Sequence, residues 1–138
     1  MARIELTAED SAYIAARIAV YAVESTERSH LHNPVELNAL PLYYDWSGAI
    51  GIRPDGEIVH WDYDNQDAGT QEVIDIVWVR TGLVAGAKRY PHLRSLIPKR
   101  PANARACEMC QGTGIFPQFT NVICGCSGLG WVDEHSPK

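Results

Sequence analysis

Apolar positions along the chain repeat with two different periods, and the changes of period divide it into helical and extended stretches. Ile14, Ile18, Tyr21 and Ala22 recur at three- and four-residue spacing, the period that lines up side chains on one face of an α-helix. Thr7-Ala-Glu-Asp10 stands before them, a threonine N-cap followed by acids that oppose the helix dipole. The spacing predicts a helix over residues 8–27, and Val20 and Val23 widen its apolar face enough to imply packing on more than one side. Asn33-Pro34 breaks the pattern.

The next stretch reads as extended chain. Ala49-Ile50-Gly51-Ile52 and Glu57-Ile58-Val59-His60-Trp61 flank Arg53-Pro54-Asp55-Gly56. Proline sets φ for the first turn position and Asp-Gly accepts the bends that follow, so a β-hairpin is expected. Residues 62–69 form a polar, acidic loop. From Asp75 onward, Ile76, Val79, Leu83, Ala87 and Tyr90 return to helical spacing with Asp75 as the cap. Val77, Trp78 and Val79 have strand character, and Gly82 and Gly86 each weaken a helix by roughly 1 kcal/mol, yet the three/four spacing favours helix. Pro91 ends it, and Leu93, Leu96 and Ile97 suggest one more short apolar turn. Pro98, Pro101 and Ala102-Asn103-Ala104 read as a linker. The expected fold class is therefore α+β: an antiparallel, hairpin-based sheet with flanking helices over residues 1–100, then a small four-cysteine zinc module over residues 101–138.

Composition narrows the class without naming a function. In 138 residues, 46% hydrophobic and 21% charged is the balance of a folded globular chain and argues against disorder. No apolar run reaches the roughly 18 residues needed to cross a bilayer. The first ten residues hold no apolar signal core before their acids, so a cytoplasmic location is the expectation. The net charge of −5 argues against a general nucleic-acid coat and suits a basic partner. The charge is uneven, however. Acids outnumber bases over residues 41–87, whereas Lys88, Arg89, Arg94, Lys99, Arg100 and Arg105 follow with no acid among them. A solvated face plus a linker is the plain reading of that run.

All four cysteines lie in the last quarter of the chain, as Cys107-Glu-Met-Cys110, thirteen residues, then Cys124-Gly-Cys126. Two close pairs joined by a loop supply the four thiolates that zinc takes in a tetrahedron. Gly112, Gly114, Gly125, Gly128 and Gly130 surround the pairs, as turns that aim backbone N–H groups at sulfur require. The segment after Pro101 is too short to close a core alone. A structural zinc site, worth roughly 10–16 kcal/mol of apparent binding energy, supplies the missing stabilisation. Disulfides do not suit a reducing cytosol, and a redox Cys-x-x-Cys does not explain the second pair. An iron–sulfur cluster uses the same ligand set and stays open as an alternative. Four cysteines close the coordination sphere, which disfavours catalytic zinc.

Cys107-Glu-Met-Cys110-Gln-Gly112-Thr-Gly114 resembles the Cys-x-x-Cys-x-Gly-x-Gly repeat in the cysteine-rich zinc domain of DnaJ-type co-chaperones, and Cys126-Ser-Gly128-Leu-Gly130-Trp131 is similar to the second half of another repeat. Three departures stand beside the likeness. Cys124 is one residue too close to Cys126, two repeats are present where the family has four, and there is no His-Pro-Asp of a J-domain. The resemblance covers about a fifth of the chain; it implies the metal and not a co-chaperone cycle. Separately, residues 46–59, from Trp46-Ser-Gly48 through Arg53-Pro54-Asp55-Gly56 to Val59, resemble the glycine-rich hairpin of SMI1/KNR4-like (SUKH) domains, though the leading helix lacks the Leu-Pro-x-x-Tyr signature. That likeness implies an α+β fold and an immunity-type protein that neutralises a toxin by binding it.

Other groupings are weaker. His30 and His32 have no third ligand, and an ordinary polar loop accounts for them. Asp62, Asp64 and Asp67 suggest a calcium loop, but its glycine is misplaced and Val73 stands where the terminal glutamate belongs. Tyr43, Tyr44, Trp46, Trp61 and Tyr63 lie near the hairpin. Core packing explains most of them, and an exposed recognition face built on Tyr44, Trp46, Trp61, Asp62 and Asp64 is the functional alternative. No nucleophile elbow, phosphate loop or His-Glu-x-x-His occurs. The expectation is thus a non-enzymatic protein-interaction module, immunity-type or adaptor, that binds a basic protein and has no membrane role. Nucleic-acid binding through the zinc module and residues 88–105 is the second reading, and a hydrolase built on the acidic loop the third.

Overall fold

The computed structural model describes residues 3–24, 38–44, 48–62, 70–114 and 123–134, with the backbone alone for residues 21–24. Its elements are α1 (Ala8–Glu24), β1 (Leu40–Tyr44), β2 (Gly48–Ile52), β3 (Ile58–Asp62), β4 (Gln71–Glu72), α2 (Ile76–Arg89), a 3₁₀ turn (Pro91–Leu96), β5 (Arg105–Ala106) and β6 (Trp131–Val132). The class is α+β, with a four-stranded antiparallel sheet in the order β1-β2-β3-β4 and a two-stranded ribbon of β5 and β6. Among the described residues, no helix is long and apolar enough to cross a membrane.

The chain divides into two compact units, Met1–Ile74 and Asp75–Lys138. In the first, α1 starts on a reciprocal capping box. The Asp10 N–H donates to Thr7 Oγ1 at 3.1 Å, while the Thr7 N–H donates to the Asp10 carboxylate at 3.4 Å. Ile14 and Ile18 of α1 are buried with Leu40, Leu42, Ile50, Ile52 and Ile58 of the sheet. Val20, one of the residues expected to widen that face, is exposed. The side chains of Tyr21, Ala22 and Val23 lie outside the described residues.

The expected hairpin is present as β2 and β3, in the register Ile52↔Ile58 through Gly48↔Asp62. Its turn closes with the Gly56 N–H donating to the Arg53 carbonyl at 2.8 Å, and with Glu57 N–H donating to the Asp55 carboxylate at 2.9 Å. Gly56 has φ of 91°, and a Cβ there would run into the Ile4 carbonyl, so this position requires glycine. Ala49 and Gly51 of β2 face Val59 and Trp61 of β3 across one side of the sheet. The Trp61 indole covers Gly51, where any Cβ would meet the ring at 2.8 Å.

In the second unit, the Asp75 carboxylate caps α2 by accepting from the Val77 N–H at 2.9 Å. The expected extra turn after Pro91 is the 3₁₀ turn, with Leu93 buried. The expectation from sequence was a boundary at residue 100; by contacts the compact unit that carries the cysteines begins at Asp75 and includes α2. Long-range bonds account for this. Arg80 of α2 makes a two-pronged ion pair with Asp133 at 3.0 and 2.9 Å, its guanidinium lies 5.3 Å from the centre of the Trp131 ring, and the Ser127 hydroxyl donates to the Val77 carbonyl at 2.9 Å.

Candidate metal centre

The cysteines sit on two loops with nearly the same backbone. In the first, the Gly112 N–H donates to the Cys107 carbonyl at 3.2 Å and the Thr113 N–H to the Cys110 carbonyl at 3.1 Å. In the second, the Gly128 N–H donates to the Cys124 carbonyl at 3.2 Å and the Leu129 N–H to the Cys126 carbonyl at 3.4 Å. The left-handed positions match as well: Gln111, Gly112 and Gly114 have φ of 54°, 83° and 80°, and Ser127, Gly128 and Gly130 have 64°, 78° and 82°. Each loop then turns an N–H onto its own sulfur, Gly114 to Cys110 Sγ at 3.2 Å and Gly130 to Cys126 Sγ at 3.3 Å.

The loops also clasp each other. The Cys107 N–H donates to the Gly130 carbonyl at 3.0 Å, and the Cys124 N–H to the Gly114 carbonyl at 3.1 Å. A side chain on Gly114 would collide with the Gly128 carbonyl, and one on Gly130 with the Gly112 carbonyl. Glycine is therefore required at both points by close backbone approach as well as by positive φ. The one-residue difference between Cys-x-x-Cys and Cys-x-Cys is absorbed before the second cysteine of each loop, upstream of the matching glycine turns.

The result is four buried sulfurs within 4.8 Å of one another, none in a disulfide. Cys107 and Cys124 Sγ lie 3.7 Å apart and Cys110 and Cys126 Sγ 3.8 Å. A tetrahedral ion with metal–sulfur bonds of about 2.3 Å requires edges of about 3.8 Å, so the donor set fits a single ion. Its electrostatics point the same way. Burial pushes the Cys110 thiol up, but the Gly114 N–H and the three neighbouring thiols outweigh it and bring Cys110 down to about 7. Burial raises Cys124, and burial together with the neighbouring sulfurs pushes Cys126 up to about 12. With Cys110 lowered and Cys124 and Cys126 raised, a divalent cation is what allows all four to be thiolates at once.

Of the residues expected to form a recognition face, Tyr44, Trp61 and Asp62 are described. Trp61 is only 3% exposed and packs in the core with Ala39, Ala49 and Val59, the core-packing reading of the two that the sequence offered for it. Tyr44 is half-buried against the same cluster. Asp62 is half-buried, with its carboxylate 3.9 Å from His60 Nδ1. Trp46, Asp64, His30, His32 and residues 63–69 of the acidic loop lie outside the described residues. By contrast, Lys88, Arg89, Arg94, Lys99, Arg100 and Arg105 are all exposed on the unit that carries the cysteines. The Arg80–Asp133 pair beside Trp131 was not foreseen. Its only trace in the sequence is an arginine within the apolar face of α2, and its partner is 53 residues away. Compared with known protein families, with characterised proteins and with solved structures, the chain matches none.

Proposed function

We propose that Cys107, Cys110, Cys124 and Cys126 hold one structural zinc ion, and that the unit it organises binds the phosphate backbone of nucleic acid. Zinc suits an all-thiolate tetrahedron of this size, and the sulfurs stand too close together to spread over a polynuclear iron–sulfur cluster. A sphere closed by four cysteines leaves no position for water, so the metal orders the chain and the protein is not an enzyme on this reading. The likeness of the two loops to the DnaJ-type repeat supports the metal and carries no co-chaperone role.

The observation that carries nucleic-acid binding is the separation of charge between the units. Met1–Ile74 holds four Lys/Arg against thirteen Asp/Glu, and Asp75–Lys138 holds eight against four, so a chain of net −5 contains a unit of net +4. Six of those cations fall in residues 88–105, all exposed and with no carboxylate in the segment. Phosphate neutralisation releases counterions and makes binding steeply salt-dependent. If all six engage, the log–log slope of affinity against salt approaches about −5 on duplex and about −4 on single strands. The double reversal Arg94→Glu/Lys99→Glu should flatten it by about 2. Fluorescence anisotropy with random-sequence oligonucleotides reads this, and absence of binding at about 50 mM salt removes the reading.

The net −9 of Met1–Ile74 favours a second reading, in which that unit meets a basic protein. A pull-down from the native host should lose the partner on Asp62→Arg; retention of every partner counts against it.

A further inference from the structure

A cavity of about 500 Å³ opens over the metal centre, within the carboxy-terminal unit; Cys107, Cys124 and Cys126 form its floor, and the walls around them combine three further kinds of chemistry. Arg105 brings a cation and Glu108 an anion, both exposed, while Met109 and Val132 supply apolar surface. Met109 is 61% exposed, and its thioether is well suited to lie against an aromatic ring. Gly125 forms another part of the wall. A Cβ there would meet nothing within 4 Å, and its φ lies outside the left-handed region, so neither strain nor close packing demands glycine. What the glycine preserves is open space in the cavity.

We propose that this cavity receives one unstacked base of a single-stranded nucleic acid, with Arg105 on the adjoining phosphate and Met109 against the base face. The proposal rests on the nucleic-acid reading above and adds the form of the ligand. Arg105 is also the last cation of the exposed run, so a strand whose phosphates follow residues 88–105 arrives at the cavity mouth. The volume suits a flat heterocycle, being at the lower end of small-ligand sites. A base stacked inside a duplex cannot reach it, whereas the bases of a single strand are free to turn out. Glu108 repels phosphate and accepts hydrogen bonds, so it selects bases with N–H donors on their pairing edge. Guanine presents two side by side; uracil and thymine present one donor between two carbonyls, which a carboxylate repels.

The test is anisotropy with the zinc-loaded full chain on labelled RNA and DNA 12-mers: a mixed single strand, its duplex, and oligouridine or oligothymidine. Wild type should favour the mixed single strand over the duplex and over the guanine-free strand. Met109→Ala should lose about threefold to tenfold on the single strand, the scale of a sulfur–aromatic contact, and leave duplex binding unchanged. Gly125→Leu, which plugs the cavity, should do the same, and Glu108→Gln should reduce the preference for guanine. Metal content measured on each variant separates these effects from damage to the centre. Binding that ignores Met109→Ala and Gly125→Leu, or falls equally on single strand and duplex, overturns the base pocket while the phosphate reading stands. No binding to any strand overturns both.

Discussion

Single residues in this protein are constrained by backbone approach as much as by side-chain chemistry. Gly114 and Gly130 each lie beneath a carbonyl of the opposite cysteine loop, and Gly51 lies beneath the Trp61 ring. Trp61 shows why an aromatic near a hairpin is ambiguous when read from sequence. Alternation along β3 places it with Val59 on one side of the sheet, and the absence of a side chain at Gly51 on the paired strand lets the indole lie flat. Nothing local marks which side is covered, so the sequence left exposed recognition and core packing both open. Trp61→Ala should consequently cost about 3–5 kcal/mol of stability in chemical denaturation, as a large buried aromatic does. Loss of a partner with unchanged stability would return Trp61 to the surface.

Elements were legible where their signals were local. The Arg53-Pro54-Asp55-Gly56 turn, the Thr7 and Asp75 caps and the stop at Pro91 each act within a few residues, and the structure has all of them. β1 was not assigned. Leu40-Pro-Leu-Tyr-Tyr44 is an apolar run without alternation and carries a proline, which an outer strand with an irregular register between Pro41 and Tyr43 tolerates. The grouping of α2 with the tail was not legible for the opposite reason: Pro98 and Pro101 look like a linker, while the bonds that bind α2 to the tail span about 50 residues. Arg80 and Asp133 are almost wholly buried, so removing one partner leaves an uncompensated charge. Arg80→Ala should destabilise the unit by about 3–5 kcal/mol, and the apolar replacement Arg80→Met/Asp133→Leu should recover most of that loss. Urea denaturation of full-length variants decides it; a double variant as weak as Arg80→Ala would mean the pair contributes more than charge compensation.

At the scale of the whole molecule, two units of opposite charge share one chain, and only the second carries the cysteines. Its ribbon of β5 and β6 has two residues in each strand, so order in the tail depends on the loops that clasp around the four sulfurs. The spacing of the cysteines announced that centre in the sequence, because a tetrahedral ion imposes its own geometry on whatever chain supplies the ligands. The basic surface was equally visible as a run of residues, but its assignment to the cysteine-bearing unit required the fold. The central claim is that one zinc ion organises Asp75–Lys138, and native mass spectrometry of the full chain, purified under reducing conditions without added metal, tests it most directly. The expected mass is that of one chain plus one zinc, with all four thiols unreactive until a chelator is added. A metal-free chain whose Asp75–Lys138 amides remain protected from exchange, or a chain whose cysteines are paired as disulfides, would contradict the account.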